Sequence, residues 1–263
     1  MRAYIFARIE KFDRAWSRFR PDSLVSRIAR EPGIHRLPPE SRELFALFGT
    51  LFEATDAAVN PLIGRTLEQL GYDPSYSLRD SGQRSPIPSW TDALSFDEAS
   101  ATLTTVAPMV VDIGAAGKGL LVDIVVRELL LSGVDELVVD ASGDIRHLGS
   151  GVTRVGLEHP LDPTKVIGVV DLSNGALCAS ASNRRAWGDG LHHVLDATTG
   201  IPTRNVIATW VLAPTALEAD GLATALFFAN AERLNALAPF EWVRMFATGR
   251  VEHSDQFNGE LFL

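Results

Sequence analysis

Between residues 5 and 19 the apolar side chains Ile5, Phe6, Ile9, Phe12, Trp16 and Phe19 recur at steps of three and four, the spacing of an amphipathic helix. Pro21-Asp22-Ser23 ends it and can cap a short second helix. Pro38-Pro39-Glu40-Ser41 opens a longer helix carrying Leu44, Phe45, Leu47, Phe48, Leu51 and Phe52, and residues 62–70 read as another short one. The first third is therefore mainly helical. From Asp73 to Trp90 the chain is rich in Ser, Pro, Asp, Arg and Gly, which predicts an exposed connection. Beyond it the texture turns to strands, at residues 101–106, 109–113, 136–141, 154–158, 166–172 and 206–212, with helices at 118–131 and 216–229. The pattern predicts an α+β protein in which helices cover one side of a largely antiparallel sheet.

With 46% hydrophobic and 22% charged residues, the 263-residue chain has ordinary globular composition and can bury a real core. The length allows one large domain or two small ones, and a single domain over 1–263 is expected, with a helical part at 1–80 and an α/β part at 90–263. The formal charge of −9 argues against non-specific nucleic-acid or membrane-surface binding, which needs a surplus of Lys and Arg. Any anionic ligand must be held locally. Lys occurs only at Lys11, Lys118 and Lys165, which singles out Lys118 in its glycine-rich setting. Cys178 is the only cysteine, excluding an internal disulfide or a multi-thiolate metal site and fitting a reducing cytoplasm. Arg8, Glu10 and Lys11 interrupt the first apolar run before it reaches signal-peptide length, and no stretch approaches the roughly 20 apolar residues of a membrane helix.

Four segments can carry chemistry. Asp112-Ile-Gly114-Ala115-Ala116-Gly117-Lys118-Gly119 stands between a predicted strand and a predicted helix, where small residues and a helix N-terminus suit a phosphate. It is not a Walker A loop, because Gly114 and Gly117 are too close and Lys118 is followed by Gly119. A tight turn with a solvated Lys explains it equally well. Pro214-Thr215-Ala-Leu-Glu218 forms a capping box, so that Asp220 and Thr224 fall one turn apart on a face otherwise built of small residues. A carboxylate plus a hydroxyl suits hard Mg²⁺, although a solvated Asp and a Thr bonded to its own helix is the commoner meaning of this spacing. His192-His193-Val194-Leu195-Asp196 is a short apolar strand with a polar tail, and a histidine there can act as a general base or simply be structural. Asp140-Ala-Ser142-Gly143-Asp144 reads as a ligand loop or a plain turn.

In this order, the segments resemble the ApbE family of flavin transferases, also called FAD:protein FMN transferases. The family pattern D-[LI]-G-[GA]-x-[AG]-K-G-x-x-V-D is met from Asp112 to Asp123, and N-x-G-G-D more loosely from Asp140 to Asp144. H-[IVL]-[IL]-D-P-x-T-G-x-P is met from His193 to Pro202 with Ala197 in place of Pro, and A-P-[ST]-A-x-x-A-D-x-[LW]-[AS]-T from Ala213 to Thr224. Upstream, Phe19-Arg20-Pro21-Asp22-Ser23 and Ala58-Val59-Asn60-Pro61 are similar to Y-R-x-D-S and A-F-D-P, with Phe19 replacing Tyr and Asn60 replacing Asp. Family members open with a strand ending in A-M-G-T, and this chain starts at the helix that follows.

The resemblance implies a T-fold-related α+β fold and a Mg²⁺-dependent transfer of FMN from FAD to a Ser or Thr of an acceptor flavoprotein, releasing AMP. It implies Asp220, Thr224 and the Ala115 carbonyl as metal ligands, and His193 and Asp220 as catalytic residues. Phe19, Ala58, Val59, Asn60, Asp112, Lys118, Val194 and Leu195 would border the FAD. The alternatives are an FAD pyrophosphatase, in which water replaces the acceptor, and a flavin-binding protein without turnover.

Overall fold

The computed structural model describes residues 1–262. In chain order the elements are α1 (Arg2–Trp16), α2 (Leu24–Ile28), β1 (Gly33–Arg36), α3 (Ser41–Ala54), α4 (Gly64–Gln69), α5 (Trp90–Ala93), β2 (Leu94–Asp97) and β3 (Thr102–Thr105). Then come α6 (Gly117–Leu131), β4 (Leu137–Asp140), β5 (Asp144–Leu148), β6 (Thr153–Glu158), β7 (Val166–Leu172) and β8 (Gly175–Ala181). Four two-residue strands follow: β9 (Ala186–Trp187), β10 (Leu191–His192), β11 (Leu195–Asp196) and β12 (Ile201–Pro202). The chain ends with β13 (Val206–Ala213), α7 (Ala216–Ala225), α8 (Ala231–Asn235), β14 (Glu241–Phe246), β15 (Val251–His253) and β16 (Gly259–Leu261). It divides into two compact units, one of residues 2–117 with 186–202, the other of 118–185 with 203–263 and Met1.

The second of these units is built on a six-stranded sheet in the order β15-β14-β13-β8-β5-β4, every neighbouring pair antiparallel. Because side chains alternate along a strand, one face carries Ile145, Leu177, Trp210, Val243 and Met245. These residues pack with Leu157, Ile167 and Val170 of the three-stranded β16-β7-β6 sheet. The opposite face presents Asp144, Cys178 and Thr209 to the helices. The Cys178 thiol donates to the Ala216 carbonyl and the Thr209 hydroxyl to the Ala223 carbonyl at 2.7 Å, fastening α7 over β8 and β13.

In the other unit β1, β3 and β2 form an antiparallel sheet. Leu67, Leu70, Tyr72, Trp187 and Leu195 form a buried cluster, and the Trp187 indole N–H donates to the Leu70 carbonyl at 2.8 Å. The expected capping of the second helix holds, since the Ser23 hydroxyl accepts from the Ser26 N–H.

Several local expectations are corrected. Residues 109–113 form no strand; Met109, Val110, Val111 and Ile113 are buried as a covered run, and the Asp112 N–H donates to the Pro61 carbonyl instead of a ladder partner. A short apolar run shows burial without fixing the backbone. The helix expected at 216–229 ends at Ala225, after which turns lead to Asn230, the cap of α8. The strand expected at the histidine pair is interrupted after His192, whose Nδ1 accepts from the Val194 N–H. Phe6, counted on the apolar face of α1, is exposed.

Candidate functional site

α6 and α7 cap each other. Asp220, on α7, accepts the Gly119 N–H in the first turn of α6 at 2.9 Å. Asp123, on α6, accepts the Ala216 and Leu217 N–H groups at the start of α7 at 3.1 and 2.8 Å. Thr215 caps the Glu218 N–H from the sequence side, as the capping box predicts. The donors at both helix starts thus meet carboxylates of the same chain. Gly119 is required by this crossing: a Cβ there would lie 2.0 Å from the Ala216 carbonyl oxygen.

Asp220 is 4% exposed and Asp144 is fully buried, and the Lys118 ammonium forms an ion pair with Asp144. Burial, reinforced by the charge of Asp144, pushes the Asp220 carboxyl up to about 8, while Lys118 and the N–H donors pull the other way. Asp144 is raised as well, by burial against the pull of Lys118. Burial opposes the Lys118 charge, but Asp220 and Asp144 outweigh it and its pKa rises. One ammonium faces two carboxylates, so the Lys keeps its proton while the acids share an insufficient counter-charge. The fully buried Cys178 thiol beside them is pushed far up by burial and by both carboxylates. It is a neutral thiol. Thr224 lies one turn beyond Asp220 on α7 and is half-buried.

In the unit containing residues 2–117, Asp112 is held in a partly buried ion pair with Arg18 at 2.5 Å, and its Oδ1 accepts the Gly114 N–H at 2.7 Å. Arg18 also donates to the Tyr72 carbonyl and lies over the Phe19 ring at 4.3 Å. Ala58 and Val59 are buried, and the Ala58 carbonyl accepts the Ala197 N–H, bringing the strip after His193 against this segment. Asn60 spends both ends of its amide on the fold: Oδ1 caps Leu62 and Nδ2 donates to the Pro88 carbonyl. Val194 and Leu195 are buried and His193 is half-buried. Ala115 lies in the turn between Asp112 and α6.

The structure thus brings Lys118 and Asp220 into one cluster in one unit, and Ala58 beside the Val194-Leu195 strip in the other. Sequence reasoning missed Arg18, the partner of Asp112, which its position beside Phe19 did not advertise. It also left Asp144 as a loop residue, because its place opposite Cys178 depends on the pairing of β5 with β8, which leaves no local sign in the sequence.

The antiparallel sheet with helices across one face is the fold of solved ApbE proteins. A crystal structure of the ApbE protein from Thermotoga maritima superposes with a TM-score of 0.82 at 24% identity, covering 97% of this chain and 89% of that one. The flavin transferase ApbE from Vibrio cholerae gives 0.80 at 21%, covering 97% and 88%. The ApbE family model matches residues 1–244, and the chain belongs to the ApbE family. Its relatives include the FAD:protein FMN transferase of Rhodobacter capsulatus, 28% identical over 253 residues that cover 88% of this chain and 46% of that protein. The enzyme of the same name from Haemophilus influenzae is 26% identical, over 80% of this chain and 67% of that protein. The chain therefore spans less than half of the first relative and about two thirds of the second. No helix among the described residues is long and apolar enough to cross a membrane.

Proposed function

We propose that the chain acts as an FAD:protein FMN transferase, moving FMN from FAD to a Ser or Thr hydroxyl of an acceptor flavoprotein and releasing AMP. The observation that carries this is the cluster of Asp220, Asp144 and Lys118, two buried carboxylates with one ammonium between them. Such a group lacks positive charge, and its carboxylate and nearby hydroxyl oxygens are hard donors, so it fits a magnesium ion. Asp220 and Thr224 would hold the metal, with the Ala115 carbonyl remaining the third ligand that the motif implies. Bound there, magnesium would neutralise charge on the diphosphate and on the departing AMP.

The remaining steps fall to the chain's own residues. Lys118, anchored by Asp144, presents its half-exposed side chain to a phosphate oxygen. Phe19, Ala58, Val59, Asn60, Asp112, Val194 and Leu195 border the rest of the FAD. His193 takes the proton of the acceptor hydroxyl, whose oxygen attacks the FMN-side phosphorus; the bond to the AMP oxygen breaks and AMP leaves. The proposed compartment is the cytoplasm, where the Cys178 thiol stays reduced.

The test is to incubate the protein with FAD, Mg²⁺ and an acceptor domain bearing Ser or Thr, following AMP, free FMN and labelled acceptor. AMP with labelled acceptor is expected. AMP with free FMN would instead make the protein a pyrophosphatase, and bound FAD without AMP a carrier. Asp220→Ala is expected to abolish the metal-dependent turnover, and unchanged AMP release in that variant would remove Asp220 from the metal site.

A further inference from the structure

The Tyr76 ring lies on the Phe19 ring nearly parallel, centroids 5.0 Å apart and planes at 11°. Tyr72 meets both rings edge-on, at 5.1 and 5.7 Å, and stacks on Trp187. Tyr76 nevertheless has little holding it from outside: it is 55% exposed, and it sits at the tip of a loop without regular structure. Its backbone is left-handed, φ +50°, as is that of Leu78, φ +51°. Two bulky residues in that region within three positions carry strain, which the turn's own bonds offset. Asp73 accepts from the Ser75 and Ser77 backbone and side chains, and the Leu78 N–H donates to the Gly71 carbonyl at 2.9 Å. The turn's own bonds thus hold the loop, and beyond them Tyr76 joins an aromatic plate with Phe19 and Tyr72.

We propose that Tyr76 is a further residue of the flavin-ring site, an aromatic stand-in that occupies the face of Phe19 until a flavin ring exchanges with it. The assignment rests on the proposed function, in which Phe19 borders the FAD, and takes the ring that Phe19 meets to be the isoalloxazine. Rings at this separation leave no space for a third between them, so a ring can stack on that face only after Tyr76 lifts. Arg18 cannot yield in its place, being 5% exposed and bonded to Asp112 and the Tyr72 carbonyl. Its Nη2 has no hydrogen-bond partner among the described residues, an unused donor beside the stack that suits a planar ring edged with carbonyl oxygens and ring nitrogens better than a hydrocarbon one. The closed plate lowers the share of molecules open to the ring and so weakens apparent affinity by that share.

FAD is titrated into the full chain, with equilibrium binding and stopped-flow association followed by flavin fluorescence, for wild type, Tyr76→Ala, Tyr76→Phe and Phe19→Leu. Tyr76→Ala is expected to bind about three- to tenfold more tightly and to associate faster, the factor an aromatic pair of this kind is worth. Tyr76→Phe, which keeps the plate, is expected to match wild type, and Phe19→Leu to bind more weakly. Tyr76→Ala binding with unchanged or lower affinity, while Phe19→Leu weakens binding, overturns the stand-in and leaves the ring reading intact. FAD binding untouched by Phe19→Leu overturns the ring reading and the stand-in together.

Discussion

Asp220 sets a cost on the fold. Its carboxyl titrates at about 8 in the folded chain, against an ordinary value of 3.8. A raised acid binds its proton more tightly when folded, so its contribution is fully present below about pH 4 and is lost as pH rises towards 8. Asp220→Asn removes the titration and keeps an oxygen for the Gly119 N–H. In thermal melts of metal-free protein, the Asn variant is expected to exceed wild type by a few degrees at pH 8, with the gap closing near pH 4. A gap that is the same at both values would show that Asp220 ionises freely in the folded protein. The same substitution is expected to abolish turnover, the usual opposition between an ideal fold and a working site.

The two crossing helices depend on each other's first turns. Asp123→Ala leaves the Ala216 and Leu217 N–H groups without their acceptor while Thr215 still caps Glu218. The expected loss is about 1–2 kcal/mol in chemical denaturation, with Asp123→Asn losing less because it retains an acceptor oxygen. A loss near zero would mean that water replaces the carboxylate. This element also shows what could be read in advance. Thr215 and Glu218 announced the start of α7, because a local cap acts within a few residues. That Asp123 and Asp220 cap across helices was out of reach, since a contact 94 residues apart leaves no periodicity. For the same reason β5, β8 and β14 escaped notice: β8, Gly-Ala-Leu-Cys-Ala-Ser-Ala, is covered by α7 on one face and the second sheet on the other, and lacks the alternation of a half-exposed strand. The motif at Lys118 was legible, but its ion pair with Asp144 became visible only with the strand pairing that sets Asp144 opposite Cys178.

At the scale of the whole molecule, Cys178 offers a probe of global opening. It is fully buried on the central strand β8, its thiol is pushed up by burial, and there is no other cysteine to confuse the signal. Labelling by a thiol-specific disulfide reagent is expected to be negligible in the native protein and to rise in step with loss of far-UV circular dichroism. Rapid labelling without loss of structure would place β8 in a locally opening segment.

The unit that begins at Arg2 is completed only by residues 186–202, with Trp187 and Leu195 entering the cluster of Leu67, Leu70 and Tyr72. On a ribosome the early segment therefore emerges with its cluster open, and roughly ten seconds of further synthesis pass before the closing strands appear. During that interval the nascent chain exposes Leu67, Leu70 and Tyr72, a hydrophobic stretch suited to holding factors at the tunnel exit.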